Sequence, residues 1–476
     1  MKDSLERILA SIRASQTLRL LAVGFLALLI LIPIAMISGL VSERQQRRQT
    51  AVAEVSSSWG NAQSIAGPVL VVPYAHRWTE SAANGVPITR TETRHVIFLP
   101  TALRIRGAMD AEIRSRGIFS VPVYRLALTV EGEFARPQLA ELGIDPASAD
   151  WRRAHVAVGI SDARAIQEST TLTWGEQRIA FLPGTGGFTD GATTMSTAVD
   201  RIGRDAIVAP SSGGGIHAVV AQPDMTQPVR FSFPLTLNGS QRVDVAPFGQ
   251  TTVVEIQGDH GHPSFRGAWL PTERTVEADS FRANWSVSFL GRGYPQAWTS
   301  ETPMQGAIDG SRFGVELVDP VDHYRMAERS VKYAGLFILL TFALVWLIEV
   351  LSGVRVHPIQ YLMLGGALCL FYLLELSLSE HLGFPLAYAM ASFAVIGMVA
   401  AYGVIALKRV SRALVVAGSV AALYAYLYFL LMNEDYALLI GSIGLFAMLG
   451  AIMYATRRVD WYSVGSRPLE SSLPRG

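Results

Sequence analysis

From Leu20 to Val41 the chain runs 22 residues without a charge. At about 1.5 Å per residue, that length crosses a hydrocarbon core about 30 Å thick. Arg44, Arg47 and Arg48 follow directly, and the Ala51-Val52-Ala53 string lies too far beyond the run to serve as a cleavage site. The pattern therefore predicts an uncleaved anchor rather than a signal peptide. Five more apolar runs close the chain, at about Tyr333–Leu351, Ile359–Ser379, Phe384–Leu407, Ala413–Met432 and Tyr436–Ala455. Glu349 interrupts the first of these.

Between the first span and the other five the pattern changes. Residues 42–58 read as a polar helix continuing out of the membrane, and Gly60 with Gly67-Pro68 stops it. Period-two alternation follows. Leu103, Ile105, Met109, Ala111 and Ile113 alternate with Arg104, Arg106, Asp110, Glu112 and Arg114. Tyr124, Leu126, Leu128 and Val130 repeat the pattern, as do Phe281 to Phe289 and Phe313 to Leu317. Such segments are half-buried strands. Phe231–Leu237, Asn238-Gly239 and Val243–Val245 predict a hairpin with a tight turn. The whole predicts antiparallel, sandwich-like sheets. Gly184–Thr194 and Ser211–Gly215 read as loops, and Arg136–Asp150 as room for a short helix. The fold class is thus six transmembrane helices, one N-terminal and five C-terminal, with a large β-rich domain between the first and second. The expected division is 1–19 tail, 20–41 span, 42–332 outer domain of one or two subdomains, 333–456 bundle and 457–476 tail.

Composition agrees with this division. Half the residues are hydrophobic, and the mean hydropathy is +0.30. Of 40 Lys and Arg, 28 fall within residues 41–332, together with 30 of 39 Asp and Glu. That near-balance argues against nucleic acid as a partner and leaves the bilayer as the implied one. Orientation follows from the short loops. Lys2, Arg7, Arg13 and Arg19 place the N-terminus in the cytoplasm. Six spans then put Arg355, Lys408, Arg409, Arg412, Arg457 and Arg458 on the same side. The opposite loops, Glu380–Gly383 and Asn433–Asp435, carry no Lys or Arg. Arg44, Arg47, Arg48, Arg329 and Lys332 flank a long translocated domain, where the charge bias has little force. Trp461 and Tyr462 are suited to anchor the last span at the interface.

Candidate chemistry is sparse. No G-x-x-x-x-G-K-[ST] and no G-x-S-x-G occurs. Cys369 is the single cysteine and sits in an apolar run, which excludes an intramolecular disulfide or a multi-cysteine zinc site. Asp259, His260 and His262 offer metal-ligand types, but the spacing is weak and no further ligand is apparent, so an ordinary polar loop is the preferred reading. Ser264, His262 and Asp279 are common residues and make a poor case for a hydrolase. No cofactor is implied. The intramembrane carboxylates weigh more, because ionisable groups inside a bilayer are costly and tend to be paired or functional. Glu349 has His357 and Gln360 nearby, and Glu375 is followed by Glu380 and His381. Structural clasping at helix ends is the preferred reading of these groups, and small-molecule or lipid transport is the alternative.

Several strings together resemble the CreD family of bacterial inner-membrane proteins, the cell envelope integrity proteins. They are Trp59-Gly60-x-x-Gln63, Gly67-Pro68-x-Leu70-x-x-Pro73, Arg116-Gly117-Ile118-Phe119 and Val121-Pro122-Val123-Tyr124. Then come His262-Pro263-Ser264-Phe265-x-Gly267 with Leu270-Pro271, and Pro295-Gln296-x-Trp298. The most specific are His357-Pro358-Ile359-Gln360-Tyr361 and Ser377-Leu378-Ser379-Glu380-His381, and Asp460-Trp461-Tyr462 ends the match. Two departures are His260-Gly261, where the family tends to an aromatic-proline pair, and Glu375, where it tends to an aliphatic residue. The resemblance implies a non-enzymatic, multi-pass inner-membrane protein with a periplasmic domain. It also implies a role in envelope integrity or stress response, under two-component control. Other envelope proteins, peptidoglycan or lipid components are the implied partners. It carries over no catalytic residue.

Overall fold

The computed structural model describes residues 16–81, 87–186, 188, 214–220, 227–318, 323–352, 354, 356–433 and 435–457. Lys2, Arg7, Arg13, Ser211–Gly213, Arg355, Arg458, Asp460, Trp461 and Tyr462 lie outside these residues, as does most of Gly184–Thr194. The chain divides into two compact units, one of Met1–Arg48 with Val321–Gly476 and one of Gln49–Pro320.

Among the described residues, six helices are long and apolar enough to cross a membrane, one before the β-rich region and five after it. They are α1 (Gln16–Trp59), α3 (His323–Ser352), α4 (Pro358–Leu382), α5 (Phe384–Leu407), α6 (Val410–Met432) and α7 (Ala437–Thr456); a short α2 (Gln305–Gly310) lies between the first two. The expected polar extension is present, since α1 continues without a break to Trp59. The second span begins at His323, earlier than the apolar run alone suggests. Its charged first turns are accommodated in helix. Lys332 pairs with Glu328 one turn back at 2.8 Å, and Arg329 donates to the carbonyls of Leu431 and Leu430 at the end of α6. A cation at a helix C-terminus satisfies orphan carbonyls and complements the helix dipole.

The other unit is built on two sheets. The first follows the order β13 (Pro263–Gly267), β17 (Phe313–Leu317), β11 (Arg242–Val245), β1 (Gln63–Ser81), β5 (His155–Ile160), β9 (Gly215–Val219) and β8 (Leu182–Pro183). To it, β2 (Pro87–Phe98) adds on β1, and β16 (Ala297–Thr299) on β2. The second follows β14 (Glu273–Val276), β15 (Phe281–Ser288), β12 (Thr251–Gly258), β3 (Ala102–Arg116), β4 (Phe119–Phe134), β10 (Val229–Ser240), β6 (Thr171–Trp174) and β7 (Gln177–Ala180). One contiguous apolar core joins the buried faces of both, with Trp174, Trp285, Phe134, Phe233, Phe248 and Phe313 fully enclosed. The alternation read from β3 holds through Met109 and then fails, because Ile113 is 72% exposed on the outer stretch of the β3–β4 hairpin. Arg136–Asp150 holds two short 3-10 turns, Leu139–Leu142 and Pro146–Ser148.

Two expectations are corrected. The sheets are mixed rather than antiparallel, since β1 runs parallel to β11 and β3 parallel to β12. The hairpin across Asn238-Gly239 does not form. Both residues stay in β10, paired with Arg125 and Tyr124 of β4. The chain turns at Gln241, with φ +61°, and enters the other sheet as β11. Gly239 is required by close approach, since a Cβ there would fall 2.4 Å from the Tyr124 ring.

Because α1 from Gln49 onward belongs to the β unit, a fragment spanning 49–320 should fold by itself. The expected result is a β-type circular dichroism spectrum with a cooperative melt. A spectrum without such a melt would mean that the core needs the helix bundle.

One buried imidazole gives this unit a pH dependence. His155 is 5% exposed, its Nδ1 lies 3.1 Å from the Arg153 carbonyl, and burial lowers its pKa from the ordinary 6.5. The folded chain thus holds His155 neutral, while the unfolded chain takes up a proton. The stabilising contribution is present above about pH 6.5 and is lost as pH falls through the lower folded value. The melting temperature should drop between about pH 7 and about pH 5, and His155→Gln should flatten that slope.

Candidate functional site

The polar groups of the helix bundle form three levels. At the first, Tyr361 on α4 donates to Glu349 Oε2 on α3 at 3.1 Å. His357 caps α4. Its Nδ1 accepts from the Ile359 amide, and its own amide donates to Gln360 Oε1 at 2.9 Å, a reciprocal capping box. His357 and Gln360 thus serve the helix start, while Tyr361 reaches the carboxylate.

At the opposite end of α4, Glu380 accepts from the Tyr324 hydroxyl at 3.0 Å and lies 3.6 Å from Arg44 Nε. This joins α1, α3 and α4. His381 is exposed in the last turn of α4.

Between these levels lies Glu375, fully buried. It does not turn toward Glu380 or His381. Its Oε2 accepts from Ser330 Oγ at 2.7 Å, and its Oε1 has no hydrogen-bond partner among the described residues. Tyr372, Tyr388 and Tyr424 stand within electrostatic reach of it. Phe371 stacks on Tyr424 at 4.2 Å, and Tyr388 donates to the Tyr424 carbonyl at 2.7 Å. Cys369 is buried on the same helix.

In the β unit, the family-type strings lie at the end of α1 and within β1 and β13. Trp59 ends α1 and donates its indole N–H to the Tyr124 carbonyl at 3.2 Å, with the Arg114 guanidinium 3.6 Å over its ring. Gly67-Pro68 lies in β1 with a cis peptide bond. Pro263, Ser264 and Phe265 lie in β13, where Ser264 is opposite Glu316 and Phe265 packs edge-on against Trp285 and Phe281. Asp259 accepts from the Ala111 amide at 2.6 Å, and His260 meets His262 ring to edge at 6.3 Å. Among the described residues, no three His, Cys, Asp or Glu side chains are grouped to hold a metal. Gly261, one of the departures noted above, sits where a Cβ would fall 1.8 Å from the Ala278 carbonyl oxygen.

Sequence reasoning did not find one further feature. The second sheet carries an open cleft of about 740 Å³. Asp110, Arg125, Gln257, Asp259, Glu277 and Arg282 line it, with Ala108 and Ala127 between them. The residues lie on four strands and the loops beyond them. Their signal was the run of polar positions on the outward faces of β3 and β12, which looks like any solvated face.

The family model described as Inner membrane protein CreD matches residues 15–462. The chain belongs to the CreD family. It is 28% identical to Inner membrane protein CreD of Escherichia coli (strain K12) over 446 residues, covering 94% of this chain and 93% of that protein. With six apolar helices, this CreD-family chain is a multi-pass inner-membrane protein. The strings at Trp59, His262 and His357 fall within the matched range, and so does Glu375.

Proposed function

We propose that this protein supports envelope integrity through its β-rich unit, placed in the periplasm, and that it does so by binding rather than by catalysis. The observation that carries this reading is the open cleft on the second sheet, where charged side chains stand among apolar ones. It offers both signs of charge, Asp110 and Glu277 against Arg125 and Arg282, in a volume suited to a small polar ligand or a peptide segment. The bundle groups at Glu349 and Glu380, by contrast, are engaged in helix-to-helix bonds. Envelope proteins, peptidoglycan fragments and lipid headgroups are the ligand classes this reading implies. The cytoplasmic placement of both termini rests on the loop charges and is open to reporter fusions. A reporter active only in the periplasm should be on after residue 200 and off at the C-terminus.

The functional test is complementation of a deletion strain, read as sensitivity to detergent and cell-wall antibiotics. Arg125→Glu with Arg282→Glu should reach normal protein level and lose most of the protection. Full protection by that variant would remove the cleft from the mechanism. A second reading, transport of a small molecule or lipid through the bundle, is favoured by the complete burial of Glu375. It would overtake the first if Glu375→Gln were normally expressed and failed to complement while the cleft variant succeeded.

A further inference from the structure

Glu375 is placed where an ionised carboxylate has no compensation. It lies seven residues before the end of α4, about 10 Å inside the helix. Its single hydrogen bond among the described residues comes from a neutral hydroxyl, Ser330 on α3. On its own helix the titratable neighbour is Tyr372; from α5 comes Tyr388, and from α6 Tyr424. None of these is a cation. Arg329, next to Ser330, is directed to the Leu430 and Leu431 carbonyls, and Arg44 to Glu380. Among the described residues, no Lys, Arg or His forms an ion pair with Glu375. Its Oε1, Tyr424 Oη and Ser392 Oγ are all buried without a hydrogen-bond partner.

A lone charge in such a setting is neutralised by uptake of a proton or a cation. The oxygens around Glu375 are too few for a metal, since one carboxylate and neutral hydroxyls fall short of the six or more oxygens a hard divalent cation takes. We propose that the Ser330–Glu375 pair is a proton-binding site: Oε1 carries the proton, and Oε2 accepts the Ser330 hydroxyl. Loss of that proton puts a charge between α3 and α4 that Ser330 alone must hold. The site therefore links the proton content of the bundle to the contact between these two helices. The proposal deepens the transport reading, but its readout is proton occupancy rather than flux, so either can fail without the other.

The test is infrared difference spectroscopy on the full-length protein in lipid nanodiscs, titrated from acid to alkaline pH and repeated in D2O. The expected result is a protonated-carboxyl C=O band that shifts in D2O, disappears at alkaline pH and is missing from Glu375→Gln. Ser330→Ala should move that band to higher frequency, because the carbonyl loses its donor. This second variant retains the carboxyl and serves even if Glu375→Gln does not fold. The proposal is overturned if the wild-type band is absent, if it is unchanged in Glu375→Gln, or if Ser330→Ala leaves its frequency untouched. It is overturned equally if sodium at constant pH removes the protonated-carboxyl band, since a cation would then hold the site in place of the proton.

Discussion

Arg292→Met should destabilise the β unit by about 3 kcal/mol or more, one of the largest effects of any single side-chain truncation in it. Arg292 is 7% exposed. Its NH1 group donates to three carbonyls in succession, Pro247 at 2.7 Å, Phe248 at 2.8 Å and Gly249 at 3.2 Å. Its NH2 group donates to Gln296 Oε1, and the Gln296 amide donates in turn to the carbonyls of Leu99 and Pro100. One side chain thus gathers the turn before β12 and the link between β2 and β3. The Tyr294 ring covers it at 4.7 Å. Methionine matches the volume and removes every donor, leaving three carbonyls without their partner in a site closed to water. Arg292→Lys keeps the charge but not the planar fork, so it should recover only part of the loss. Denaturant unfolding of the solubilised protein, followed by tryptophan fluorescence, gives the comparison. Equal midpoints for wild type and Arg292→Met would show that the fork is dispensable.

The sequence carried the membrane architecture because a span is a local property. Twenty apolar residues without charge have few alternatives. The strands at β3, β4 and β15 were legible for the same reason, their alternation being contained in each strand. Partner choice was not. Nothing near Gln63 says that β1 will run beside β11, or near Ala102 that β3 will run beside β12, since both pairings close loops of over a hundred residues. The missed switch at Gln241 has a specific cause. Asn238-Gly239 is a strong turn signal, yet the glycine answers to the Tyr124 ring and the Asn238 carbonyl to Gln63. In the bundle, the partners of Glu380, Tyr324 and Arg44, come from other helices, so no local pattern around Glu380 names them. The Ser330 bond to Glu375 likewise spans 45 residues. The His357–Gln360 box was visible in principle, as an N-cap acceptor three residues ahead of Gln, although His is an uncommon choice there.

Gly60→Ala should be comparably severe, and the reason lies in how the Trp59-Gly60-x-x-Gln63 string closes the domain. α1 ends at Trp59, and Gly60 has φ +151°, where side chains are strained. A Cβ there would also fall 2.7 Å from the Asn238 carbonyl oxygen. That same oxygen accepts the Gln63 amide at 2.9 Å, from a glutamine 1% exposed. Asn238 belongs to the second sheet and Gln63 to the first, so the bond pins one sheet to the other where the helix arrives. Tyr124 extends the joint, taking the Trp59 indole N–H on its carbonyl and donating its hydroxyl to the Arg242 carbonyl at 2.6 Å. The strained backbone should cost roughly 1–3 kcal/mol, and the crowding of a fixed carbonyl should add a further ~1–3 kcal/mol. Gln63→Leu, which leaves the Asn238 carbonyl short of a donor, should cost about 1–3 kcal/mol. Both changes damage one acceptor, so the double variant should lose less than the two losses added together. Unfolding midpoints for wild type, the two single variants and the double variant complete the cycle. Strict additivity would mean that Gly60 and Gln63 act separately and that the Asn238 carbonyl is not the joint between them.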